Sequence, residues 1–167
     1  IMSFIIPASF FQSVNPLIII FLGPLMANIW LRIDRGKLRM STPQKMGSGI
    51  MLLGLGFLLL SVVSQNQDSK ISLWWLVMVY FCHTLGELCL SPIGLSMVSK
   101  VSPKKLVSIM MGFWFLSSAI ANYMAGRLPE LLVYFKINLF SFLTATSLLA
   151  GLLLYFMAPF LENLIRK

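Results

Sequence analysis

Five long apolar runs, separated by short polar connections, constrain the fold of this 167-residue chain more than any other feature. Each run approaches the roughly 20 residues that an α-helix needs to cross a hydrocarbon layer about 30 Å thick. Only 11% of the residues are charged, against about 25% in soluble domains. Helices are expected because lipid cannot satisfy open backbone groups, and no alternating strand pattern is present. We therefore predict an all-α integral membrane protein with five transmembrane spans, at about 9–33, 46–64, 73–98, 106–126 and 137–161.

Basic residues are concentrated in alternate connections, which predicts the orientation of the chain. The first connection, the third connection and the tail are rich in lysine and arginine, whereas the second and fourth are nearly balanced. Basic short loops stay on the cytoplasmic side, so we expect the chain to start outside and end in the cytoplasm. This loop bias also explains the net charge of +8, and no nucleic-acid partner is indicated. Pro43, Pro103 and Pro129 are expected to lie in connections, where proline does not interrupt a span.

One carboxylate, that of Glu87, falls near the middle of the third run. An ionised side chain at that depth costs roughly 2.5 kcal/mol or more, so such residues usually face a partner, a water-filled cavity or a substrate path. His83, Glu87 and Ser91 are spaced by four and are predicted to share a helix face. Pro92 frees a backbone carbonyl one turn back, which is typical of transporter sites. We favour this interpretation over a structural bend in which the glutamate bonds a neighbouring helix.

Two other spans contain further candidates. Asn15 precedes Pro16 in the first span, where it would bind a ligand or join helices, and Trp114 in the fourth span would line a pocket or face lipid. The sequence leaves both pairs of alternatives open. In the second span, small residues predict close packing against other helices: Gly47, Gly49, Gly54 and Gly56.

Three segments of the chain resemble the proton-dependent oligopeptide transporter (POT, or PTR) family of the major facilitator superfamily. They are residues 11–17 (FQSVNPL), 86–96 (GELCLSPIGLS) and 111–116 (MGFWFL), in the order and spacing of the family. The resemblance covers essentially the whole chain and implies the eighth to twelfth helices of a twelve-helix fold. It therefore also implies that the amino-terminal helices of the same transporter are the partner of this carboxy-terminal portion.

The resemblance further implies roles for four residues. Asn15 would hold the amino-terminal end of a bound peptide, and Glu87 would pair with its terminal ammonium. Ser91 would lie beside the same pocket, and Trp114 would lie near the cavity. A carboxylate in a partly desolvated cavity takes up a proton more readily than in water, so Glu87 is also a candidate for proton coupling. His83 is a second coupling candidate, with a neutral hydrogen-bonding role in helix packing as its alternative.

The expected function is proton-coupled symport of di- and tripeptides across a bacterial plasma (inner) membrane. The bilayer is the surrounding partner and the proton gradient is the energy source, with no cofactor and no metal. An enzyme is not expected, because there is one histidine, no cluster with metal-ligand spacing and no phosphate-binding loop. Two alternatives remain, namely a non-transporting membrane scaffold or assembly subunit, and a transporter of another amine-bearing solute.

The first connection, from Asp34 to Arg39, has two interpretations. It imperfectly resembles a charged cytoplasmic loop of the superfamily, whose residues hold helix ends together in one conformational state of the transporter. The simpler interpretation, which we favour, is a basic loop that sets the topology and meets anionic lipid.

Overall fold

The computed structural model describes residues 14–36, 39–65 and 73–165. These residues form five helices: α1 (Val14–Arg35), α2 (Thr42–Gln65), α3 (Leu73–Val101), α4 (Val107–Tyr134) and α5 (Leu139–Ile165). All five are long and apolar enough to cross a membrane. The prediction of an all-helical chain with five apolar helices is therefore confirmed. The part of the first predicted span before residue 14 lies outside the described residues.

Side chains in the connections set where two of the helices begin. Ser41 and Gln44 form a capping box at the start of α2, in which the Ser41 amide donates to Gln44 Oε1 over 2.8 Å and the Gln44 amide donates to Ser41 Oγ over 3.4 Å. Asn138 caps α5, since its Oδ1 accepts from the Ser141 amide over 3.1 Å. These caps satisfy amide groups that the first turn of a helix leaves without partners.

The end of α4 differs from the expectation. Pro129 was predicted to lie in a connection, but it lies inside α4, which continues to Tyr134. The helix instead stops in a Schellman motif, in which the Lys136 amide donates to the Val133 carbonyl and the Ile137 amide donates to the Leu132 carbonyl. Lys136 adopts the left-handed conformation that this motif requires, with φ of 56°. The helix therefore continues through Pro129, although proline cannot donate the backbone hydrogen bond of that position.

One face of α2 packs closely against α5. A Cβ atom built on Gly47 would lie 2.9 Å from the carbonyl oxygen of Gly151, and one built on Gly151 would lie 2.9 Å from the carbonyl oxygen of Gly47. Two turns further along α2, a Cβ built on Gly54 would lie 3.0 Å from Cγ of Leu148. Near the far end of α2, the hydroxyls of Ser61 and Ser141 share a hydrogen bond of 2.8 Å. Close backbone approach and polar contacts of this kind hold helices together within lipid.

The opposite face of α2 packs against α3. A Cβ on Gly49 would lie 2.7 Å from Cβ of Cys89 and 2.9 Å from the carbonyl oxygen of Gly86. Gly56 admits the imidazole of His83, whose Nε2 lies 2.6 Å from the position of a Cβ there. The prediction that the glycines of the second span serve packing is thus confirmed. Positions two apart on a helix point to nearly opposite sides, which explains how one glycine-rich helix contacts two neighbours.

The other two helices lie at the edge of the described structure. α1 and α4 contact α3, and most of their apolar side chains are exposed. In contrast, α2 lies between α3 and α5 and contributes most of the tightly packed contacts. α3 therefore makes most of the contacts that join α1 and α4 to the rest of the bundle, and α4 also contacts α5.

Most of the described basic residues collect at one end of the bundle, which we call the basic end, whereas Arg127 and Lys136 lie at the other. It is formed by the ends of α1, α3 and α5 and by the starts of α2 and α4. Here Lys45 of α2 approaches both carboxylate oxygens of Asp34 at 2.7 Å, and its Nζ lies 5.3 Å from the centre of the Trp30 ring. This contact joins the end of α1 to the start of α2.

Candidate functional site

Asn15 and Glu87 meet between α1 and α3. Asn15 Nδ2 donates a hydrogen bond of 3.0 Å to Glu87 Oε2. Its Oδ1 accepts one of 2.5 Å from the hydroxyl of Thr84. Two different partners therefore orient the Asn15 amide, since a carboxylate can only accept and the threonine hydroxyl can donate. We call Asn15, Thr84 and Glu87 the polar cluster.

Thr84 was not among the residues predicted for the site. Its side chain is completely buried, and its hydroxyl also lies 2.7 Å from the carbonyl oxygen of Tyr80. A threonine on an apolar helix usually bonds the preceding turn of its own backbone, so its type alone points to no ligand. Its position three residues before Glu87, on a neighbouring part of the same helix surface, is the signal that would have identified it.

Glu87 remains available to a cationic ligand. The residue is exposed although it lies well inside an apolar helix. Among the residues that the structure describes, no lysine or arginine forms an ion pair with it, and its contact with Asn15 uses one of its two oxygens. An ionised carboxylate can accept about four hydrogen bonds, so the cluster retains the capacity to accept several from an ammonium group.

The structure separates His83 and Ser91 from the contacts of Glu87, although the three share α3. The His83 ring packs against Phe57 of α2, with ring centres 4.6 Å apart and planes inclined at 58°. Its Nε2 is buried and has no hydrogen-bond partner in the described part of the chain. Ser91 is half-buried one turn from Glu87. No hydrogen bond among the described residues connects either side chain to the carboxylate.

Trp114 joins α4 to α3 rather than joining the polar cluster. The six-membered ring of its indole lies against Gly94, because a Cβ built on that glycine would overlap the ring, lying 2.7 Å from Cζ2 and 3.0 Å from Cζ3. The side chain is half-buried. Gly94 is two turns of α3 beyond Glu87, so the indole is located on the side of the cluster toward the basic end.

This contact gives a prediction for the full-length protein. Gly94→Ala is expected to displace the indole and lower the thermal unfolding midpoint, because overpacking a tight contact costs about 1–3 kcal/mol. In a Trp114→Leu background the same Gly94→Ala change is expected to have little effect, since the ring is gone. A double-mutant cycle of unfolding midpoints measures the coupling. Equal effects of Gly94→Ala in both backgrounds would show that the two residues do not interact.

Comparison with known proteins places these features in a family. Residues 1–148 match the model of the POT family. The chain is 36% identical over 154 residues to the uncharacterized transporter YclF of Bacillus subtilis (strain 168). This aligned region covers 87% of this chain and 31% of YclF. It is 38% identical over 130 residues to the peptide transporter YePEPT of Yersinia enterocolitica, and this aligned region covers 75% of this chain and 25% of YePEPT.

Solved structures show the same relationship. The crystal structure of the peptide transporter POT in complex with sulfate matches 99% of this chain with a TM-score of 0.81 and 34% identity. A POT family transporter in complex with a thioalcohol conjugated peptide matches 93% of this chain, with a TM-score of 0.80 and 33% identity. Those matches cover 34% and 31% of the two solved chains, so this chain spans about a third of the transporters that it resembles.

The fold and family expected from the sequence are therefore confirmed. Five apolar helices superimpose on part of a transporter fold, and the matched family consists of transporters rather than enzymes. The agreement extends over nearly the whole chain and includes the segments that carry Asn15, Glu87 and Trp114. This chain belongs to the POT family.

Proposed function

We propose that this chain is the carboxy-terminal part of a proton-coupled symporter of di- and tripeptides, in which the polar cluster binds the terminal ammonium of the substrate. The observation that carries the proposal is the hydrogen bond from Asn15 to Glu87, which holds an exposed carboxylate inside an apolar helix. A peptide always carries this ammonium, whereas its side chains vary. A carboxylate held by an amide is suited to bind the constant part of such a substrate.

The geometry favours a cation as the ligand. Glu87 has no ion-pair partner in the described part of the chain, and a carboxylate would repel an anionic substrate. Asn15 holds one oxygen in place, so less side-chain freedom is lost when an ammonium binds. Ser91 and Trp114 are proposed to line the same substrate path on the side toward the basic end.

Proton coupling is proposed to occur at Glu87. A proton and a substrate ammonium both neutralise the same carboxylate, so binding of one opposes or replaces binding of the other. His83 is a second candidate, although its ring is packed against α2 while Glu87 contacts α1. Alternating access would come from rocking of this bundle against the amino-terminal helices of the transporter.

The proposed setting is a bacterial plasma membrane, with the basic end in the cytoplasm. In this orientation, which the basic connections support, Arg32, Lys45 and Lys100 would lie on the cytoplasmic side. The contact of Glu87 with Asn15 is made within this chain, between two of its own helices, which supports a ligand site over a scaffold or assembly role.

The test is uptake of labelled dialanine into liposomes that contain the full-length protein, with and without an inward proton gradient. Accumulation that depends on the gradient is expected. Uptake without a gradient requirement would contradict the coupling, and uptake of other amines but not dialanine would point to a different amine-bearing substrate. A folded, correctly inserted protein with no uptake at all would favour the scaffold alternative.

A further inference from the structure

A cavity of about 380 Å³ opens at the basic end, away from the polar cluster. It lies between the ends of α1, α3 and α5 and the start of α2, and Trp30, Thr42 and Lys100 are among the residues that line it. Asn15, Thr84, Glu87 and Trp114 do not line it. We propose that this cavity binds the head group of an anionic glycerophospholipid, such as phosphatidylglycerol.

The lining of the cavity changes from apolar to charged along α3. Pro92, Ile93 and Met97 form the wall toward the middle of the membrane, and Lys100 lies at the end of the helix. Eight residues separate Pro92 from Lys100, or about 12 Å along the helix axis. A ligand that fits this gradient carries an apolar chain on one side and a charged head group on the other, as a phospholipid does.

The charges at the cavity favour an anion. Lys45 is occupied by Asp34, with which it forms an ion pair of 2.7 Å. Lys100 is exposed and forms no ion pair with any residue in the described ranges. Among the described residues that line the cavity, it is therefore the ammonium available to a phosphate. Glu162 also lines the cavity but has an interaction of its own, and in this proposal it faces the glycerol hydroxyls of the head group.

A second observation points to a hydrogen-bond acceptor in the ligand. The indole Nε1 of Trp30 is buried and has no partner among the described residues, although Trp30 lines the cavity. An unpaired buried donor is unfavourable, and in this proposal a small shift of the indole lets its N–H donate to an oxygen of a phosphate or glycerol group. Hydroxyls at Thr42 and Ser96 supply further polar contacts in the same lining.

The depth of the site agrees with this ligand. Tryptophan and lysine at the end of a membrane span lie at the level of the lipid head groups. Basic pockets between helices on the cytoplasmic side are places where acidic head groups bind. This inference does not depend on which solute the protein transports.

The test compares the full-length wild-type protein with Lys100→Gln, Trp30→Phe and the control Lys104→Gln. Lys104 is an exposed lysine at the same end that does not line the cavity. Delipidated protein is titrated with phosphatidylglycerol or phosphatidylcholine, and bound lipid is counted by native mass spectrometry. Circular dichroism checks that each variant is folded.

Wild type and Lys104→Gln are expected to prefer phosphatidylglycerol over phosphatidylcholine. Lys100→Gln is expected to reduce that preference about fivefold, because this is the factor by which one lysine strengthens binding to an anionic lipid surface. Trp30→Phe keeps the aromatic ring but removes the N–H, and is expected to weaken binding of both lipids.

Three outcomes would overturn the proposal. Equal losses in Lys100→Gln and Lys104→Gln would indicate diffuse attraction to the basic end. Displacement of the lipid by glycerol 1-phosphate at the same concentration would identify a soluble phosphate as the ligand. Displacement by dialanine would assign the cavity to the transport path.

Discussion

Replacing Glu87 by glutamine in the full-length protein is expected to reduce uptake of labelled dialanine at least tenfold at low substrate concentration. Glutamine has the same shape, and its side-chain oxygen can still accept the 3.0 Å hydrogen bond from Asn15 Nδ2. The change therefore removes the charge while preserving the contact between α1 and α3. A hydrogen bond to a charged group contributes about 1.5–3 kcal/mol, which corresponds to roughly a tenfold to hundredfold loss of affinity. Initial uptake rates over a range of dialanine concentrations would measure it.

Two controls identify the group that Glu87 binds. N-acetylated dialanine lacks the ammonium, so its uptake is expected to be weak in the wild type and to change little in Glu87→Gln. His83→Gln changes the neighbouring polar group of α3 while leaving the polar cluster intact. Unaltered dialanine affinity and pH dependence in Glu87→Gln would refute the role of this carboxylate. A loss of coupling in His83→Gln alone would transfer that role to the imidazole.

Replacing Gly49 by valine is expected to cause a large loss of stability, because the added side chain would overlap α3. A Cβ there would lie 2.7 Å from Cβ of Cys89 and 2.9 Å from the carbonyl oxygen of Gly86. The second of these atoms belongs to the backbone, so α2 and α3 would have to separate. Overpacking costs about 1–3 kcal/mol in well-packed interiors, and a β-branched side chain against backbone is expected to reach the upper end. Thermal unfolding of the full-length protein in detergent is the measurement.

The matched control is the same substitution at Gly112. Apart from its chain neighbours and the nearby backbone of its own helix, no described atom lies within 4 Å of a Cβ built on Gly112, which is also helical. The intrinsic helix preference of valine is the same at both sites, so the difference between the two midpoints isolates the tertiary contact. Similar thermal unfolding midpoints for Gly49→Val and Gly112→Val would show that α2 and α3 do not approach each other as closely at Gly49 as the structure has them.

Part of the candidate site was predictable because its residues are unusual for their location. A glutamate within an apolar span is costly enough to indicate function by itself, and Asn15 was a weaker candidate of the same kind. Thr84 was missed because threonine is ordinary in a membrane helix. The inclusion of Pro43 and Pro129 in connections was wrong. Pro43 lies in the first turn of α2, where the missing N–H has no helical partner to lose, and Pro129 lies inside α4, since proline restricts a helix locally but does not always end one.

The sequence by itself determined that the described residues form five apolar helices, roughly where each lies along the chain and which connections carry most of the basic residues. These properties depend on local apolar length and on loop charge, which need no knowledge of neighbours. Only the tertiary structure decided which helix faces meet. It placed Asn15 against Glu87, 72 residues away along the chain, and Trp114 over Gly94. The physical reason is that lipid is as apolar as the protein interior, so hydrophobicity around a membrane helix does not distinguish the packed face from the exposed one.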